Sequence, residues 1–148
     1  MAKRVVSLGP TRWLSMVEVA ASAVVLEWRL RRWDIVRVAQ KMGVATEDGG
    51  AAPSGDLHLS PQEAREVADV RRVLTYGPFN GTCLRQSLLV GHVLRRRSTV
   101  LRIGVRKTSG VVKAHAWLLV DGHCVDSYGV VEDPGFVVMP IANAGMMR

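Results

Sequence analysis

Between Thr11 and Met42 apolar residues recur at spacings of three and four. Trp13, Met16, Val17, Ala20, Val24 and Trp28 mark one apolar face of a buried or amphipathic helix. Trp33-Asp34 interrupts the series, Ile35, Val36, Ala39 and Met42 continue it on a shifted face, and Gly43 is a plausible stop. The pattern predicts two helices or one bent helix, an N-terminal helical segment over residues 1–43. The stretch from Leu14 to Leu30 is apolar with Lys3 and Arg4 upstream, but Glu18, Glu27 and Arg29 break it. No clean run of membrane-spanning length remains, so no transmembrane segment is expected.

Residues 44–59 are rich in glycine, proline and small or acidic residues and read as a flexible linker. Ser60-Pro61-Gln62-Glu63 is a helix start, with serine as cap, proline in the first turn and Glu63 where a capping box needs it. That helix is predicted to run to about Tyr76, followed by a turn over Gly77-Pro78-Phe79-Asn80-Gly81. A further helix starts near Thr82 or Cys83, carries Leu84, Leu88 and Leu89, and ends in Arg95–Arg97, where basic residues oppose the negative end of the dipole. From Val100 the period changes to two. Leu101, Ile103 and Val105 alternate in a first strand, Lys107–Gly110 turns the chain, and Val111–Val120 is a second strand. Asp121-Gly122 is a hairpin signal, and His123–Val131 is a third strand. Helices followed by an antiparallel sheet give an α+β fold. Its core is expected over residues 60–148, within a single domain spanning 1–148.

A chain of 148 residues suits one domain with a modest core. The net charge of +7 raises nucleic acid as a partner. The basic residues, however, sit in short runs, Arg29–Arg32 and Arg95–Arg97. Aromatics are only 5% of the chain, too few for stacking interleaved with charge. The excess reads as solvation plus attraction for an acidic peptide, with no nucleic acid. The two cysteines, Cys83 and Cys124, make neither a disulfide scaffold nor a metal site, and they fit a reducing cytoplasm. No metal and no cofactor are expected.

Cys83 falls at a predicted helix N-terminus, where the positive end of the dipole favours the thiolate. A lone helical cysteine is more often packing filler, and a lone strand histidine is more often structural. The hairpin adds information. With Asp121-Gly122 as a two-residue turn, Val120 faces His123, Leu119 faces Cys124, Trp117 faces Asp126 and His115 faces Tyr128. His115 and Asp126 then share a sheet face as diagonal neighbours. Asp126 is thereby placed to hold the His115 imidazole in the tautomer that accepts a proton from Cys83. Cys124 lies farther along, beside the turn, and reads as packing. His58, His92 and His123 read as structural or solvated. Asn80, the Cys83 N–H and Trp117 are candidates for an oxyanion or substrate contact, although an asparagine at such a position is more often a turn or cap residue.

The strings Thr82-Cys83-Leu84-Arg85-Gln86-Ser87-Leu88, Leu101-Arg102-Ile103-Gly104-Val105 and Ala114-His115-Ala116-Trp117-Leu118, with Val120-Asp121-Gly122, resemble the lasso-peptide leader peptidases. That domain is also described as the C-terminal part of the microcin-processing protein, within the transglutaminase-like superfamily. The resemblance implies a transglutaminase-like or papain-like cysteine peptidase fold, in which a cysteine-bearing helix packs on an antiparallel sheet. It implies a Cys83–His115–Asp126 triad that cuts the leader from a ribosomally made lasso precursor peptide through an acyl-enzyme. It further implies a separate leader-recognition protein and an ATP-using lasso cyclase as partners. The matched motifs run from about Thr82 to Asp126. An aromatic residue commonly precedes the nucleophile in that family, whereas this chain reads Tyr76-Gly77-Pro78-Phe79-Asn80-Gly81 upstream of Thr82. Acyl transfer to an amine, and a non-catalytic peptide-binding module, are the alternatives.

Overall fold

A computed structural model describes residues 9–46, 57–78, 81–125 and 136–140. Helix α1 (Pro10–Arg32) is followed by α2 (Ile35–Met42) after a break at Trp33-Asp34, where the Asp34 side chain accepts a hydrogen bond from the Arg37 N–H and caps α2. Gly43 ends α2 in the left-handed conformation, with φ 77°, which costs glycine little because it has no Cβ. The apolar face expected on α1 is corrected. The helix buries Val19, Ala23, Leu26 and Leu30, a series at spacings of four and three. Trp13, Val17, Val24 and Trp28 are exposed. Apolar residues occur on more than one side of this helix, and packing against the two later helices selects the side that is buried.

Helix α3 (Pro61–Tyr76) begins as its sequence predicts. The Ser60 hydroxyl accepts from the Glu63 N–H at 3.2 Å while the Glu63 carboxylate accepts from the Ser60 N–H at 2.8 Å. Helix α4 (Cys83–Val93) follows. The sheet then forms from β2 (Thr99–Thr108), β3 (Val111–Val120) and β4 (His123–Val125), in an antiparallel meander. Both hairpin turns have two residues of positive φ, Ser109-Gly110 and Asp121-Gly122, as tight two-residue hairpins require. The second hairpin pairs Val120 with His123, Leu119 with Cys124 and Leu118 with Val125, the predicted register as far as the described residues extend.

Two short strands border β2. Strand β1 (Ala45–Thr46) runs parallel to it at Val100–Leu101, and β5 (Val137–Val138) runs antiparallel to it at Gly104–Val105. The sheet is therefore mixed, where an antiparallel one was expected. The expected linker also begins with structure: Val44 is buried and Ala45-Thr46 pairs in the sheet. Alternation along β3 splits its side chains between two faces. Ala116, Leu118 and Val120 join Leu101, Ile103 and the buried residues of all four helices in one core. Trp117 and Leu119 are buried outside that cluster, on the other face.

Candidate active site

Cys83 is the first residue of α4 and is half-buried against the core. Three contacts fix the helix that carries it. At its far end Gly91 lies so close to Val44 and to Leu118 of β3 that a Cβ there would meet their methyl carbons at 2.5 and 3.1 Å. In its middle the Ser87 hydroxyl donates to the Ala116 carbonyl at 3.3 Å. At its start Arg85 forms a bidentate ion pair with Glu27 of α1 and donates to the Thr82 hydroxyl at 3.1 Å. The hydrogen bond from Arg85 is the main cause that holds the Glu27 carboxyl below its ordinary value.

The Thr82 hydroxyl, although at the N-cap position, makes no cap hydrogen bond to the helix. The first backbone bond of α4 runs from the Gln86 N–H to the Thr82 carbonyl. The amides of the first turn precede that bond, as at any helix start, and among the described residues no side-chain cap takes them.

Ser87 meets Ala116 and Gly91 meets Leu118, so α4 runs parallel to β3. Four helical residues advance roughly 6 Å and two strand residues roughly 6.6 Å. Cys83, one turn before Ser87 on the same side of the helix, is thus level with Ala114 and His115. The approach is at the strand's edge. The Met139 N–H donates to the Ile103 carbonyl, so Ile103 turns its backbone groups away from β3. Its rung partner Ala116 accordingly turns its own carbonyl away from β2. The described residues of β4 end at Val125, opposite Leu118, and Ser87 takes the next outward carbonyl.

His115 is half-buried and opposite Gly104. Its ring stacks on Trp117, with centroids 5.9 Å apart, and lies 5.6 Å from the ring of Phe136. Gly104 makes room for this cluster: a Cβ there would stand 2.9 Å from the Trp117 ring and 3.2 Å from the Phe136 Cβ. Trp117 is 6% exposed, and its indole N–H has no hydrogen-bond partner among the described residues. Arg106 holds its guanidinium 4.8 Å from the Phe136 centroid. His115 and its aromatic neighbours occupy the sheet face away from the hydrophobic core, whereas Cys83 packs on the core side.

Of the expected site residues, the structure places Cys83 at the start of α4, His115 on the strand against which α4 packs, and Trp117 beside His115. Asp126, Tyr128 and Asn80 lie outside the described residues. His92 donates from Nδ1 to the Met42 carbonyl, 3.0 Å away, a structural contact. Three features were missed from the sequence. The Glu27–Arg85 pair joins residues 58 apart in the chain and leaves no local signal. Phe136 lies past every motif. The Ser87–Ala116 bond joins residues 29 apart in the chain and depends on folded geometry. Among the described residues no group of His, Cys, Asp and Glu is placed to hold a metal ion.

No curated protein and no solved structure matches the chain. A family model described as the transglutaminase-like superfamily matches residues 20–139, a span holding most of α1, the Cys83 helix, the His115 strand and β5. With most of its length matched, the chain belongs to the transglutaminase-like superfamily, which includes cysteine peptidases and acyltransferases.

Proposed function

We propose that the protein is a cysteine peptidase that removes the leader from a lasso precursor peptide, with Cys83 as nucleophile, His115 as general base and Asp126 as the residue that orients His115. What supports this reading is Cys83 as the first residue of α4, a helix that Thr82 does not cap and that packs on the strand carrying His115. The thiol attacks the scissile carbonyl while His115 takes its proton. First-turn amides, with that of Cys83 foremost, donate to the oxyanion. His115 returns the proton to the leaving amine, and water then hydrolyses the thioester. Trp117, stacked beside His115, is a substrate contact, and Asn80 is a further donor for the oxyanion. The leader-recognition protein presents the peptide, and the cyclase takes up the freed core. The chemistry needs no cofactor, and the work is done in the cytoplasm.

Mass spectrometry of a lasso precursor, incubated with the protein and its leader-recognition partner, tests this reading. One cut between leader and core is expected, lost in Cys83→Ala and kept in Cys124→Ala. An intact precursor with folded wild type and partner present overturns it, and a product amidated by an added amine assigns acyl transfer instead.

A further inference from the structure

The side of α1 turned away from the core is apolar along most of its length. Trp13, Leu14, Val17, Val24, Val25 and Trp28 are 59, 66, 59, 56, 42 and 49% exposed. With Ala21 they fill a sector of roughly 120° and a length of roughly 22 Å, at 100° and 1.5 Å per residue. The hydrogen-bonding groups within the stripe are the two indoles, one at each end. Basic side chains close its C-terminal end: exposed Arg31 and Arg32 follow Trp28, with the Arg32 guanidinium 5.1 Å from the Trp28 ring centroid. Of the two carboxylates of α1, Glu27 is held by Arg85 on the inner side and Glu18 borders the stripe.

We propose that α1 lies flat on an anionic lipid surface, with the valines and Leu14 below the headgroups and Trp13 and Trp28 at headgroup level. Charge complementarity selects this occupant. Guanidiniums of one sign close the end of an apolar face on a chain of net charge +7, the arrangement that anionic headgroups attract. A protein partner of the same footprint would need about one hydrogen bond per 100–200 Å² of interface, and the stripe supplies two donors. No described helix is long and apolar enough to cross a membrane, so the association is peripheral and reversible. It uses the side of α1 opposite the one that packs on α3 and α4, and it is independent of the cysteine chemistry.

The test is co-sedimentation of the full chain with phosphatidylcholine vesicles and with vesicles containing about one-third phosphatidylglycerol. Binding to the anionic vesicles is expected to be at least tenfold stronger and to weaken with salt, with a blue shift of tryptophan emission. The Leu14→Gln/Val17→Gln double variant is expected to lose at least tenfold in partitioning. Arg31→Gln/Arg32→Gln is expected to lose about thirtyfold on anionic vesicles only. Circular dichroism confirms that each variant is folded, and Cys83→Ala is expected to bind as the wild type does. No sedimentation with either vesicle overturns the proposal, as does equal binding to both lipids. A lipid-free dimer abolished by Leu14→Gln/Val17→Gln would assign the face to a second copy and also overturn it.

Discussion

Gly91→Ala should destabilise the protein, although the same change in an open helix stabilises it. Replacing a helical glycine by alanine ordinarily gains about 0.8–1 kcal/mol. Here the added methyl would sit 2.5 Å from Val44 Cγ2 and 3.1 Å from Leu118 Cδ1. Val44 and Leu118 are 1% and 0% exposed, so neither has free space to retreat into. Forcing a methyl into such a core costs about 1–3 kcal/mol, and the balance is a net loss of about 1 kcal/mol. For a chain of this size that is a fall in Tm of about 3 °C. Val44→Ala alone should cost about 2 kcal/mol through the cavity it leaves. In the double variant the methyl introduced by Gly91→Ala occupies part of that cavity, so the two losses should fall short of additivity by at least 1 kcal/mol. Urea unfolding of the four proteins, followed by circular dichroism, reads both numbers. A higher midpoint for Gly91→Ala, or strict additivity with Val44→Ala, would refute the close packing of α4 on β3 and with it the levelling of Cys83 with His115.

Gly104→Ala should act on the site, because its Cβ would meet the Trp117 ring at 2.9 Å and the Phe136 Cβ at 3.2 Å. Turnover of a precursor peptide is expected to fall at least tenfold while stability falls about 1 kcal/mol; unchanged kcat would show that the aromatic wall beside His115 is not needed. Glu27 has its folded carboxyl held below the ordinary 4.5, first by the hydrogen bond from Arg85. Its contribution is therefore fully present above that value and is lost as pH falls through the folded one. Glu27→Gln should flatten the acid limb of urea midpoints plotted against pH. Part of the limb should persist, because Glu63 is shifted the same way, first by the Ser60 backbone N–H.

What the sequence disclosed followed from the range of each interaction. The α3 start rests on Ser60 and Glu63, three residues apart, and the capping box is present. The β3–β4 register rests on two residues that must take positive φ, Asp121 and Gly122, and it holds through Val125. The buried side of α1 was not legible, because its apolar residues are not confined to one face and later helices decide which face is covered. Strand β1 was hidden because two residues carry no period and its parallel partner lies 55 residues on. Cys83 and His115 stood out by type and position. The Arg85–Glu27 anchor and the edge contact of Ser87 depend on folded geometry alone.

The most direct test is to stop a reaction with a lasso precursor by acid during turnover and map the covalent adduct on the digested protein. A peptidyl thioester on the fragment containing Cys83, released by hydroxylamine and absent from Cys83→Ala, is the predicted result. An adduct on Cys124, or cleavage that continues in Cys83→Ala, would contradict it.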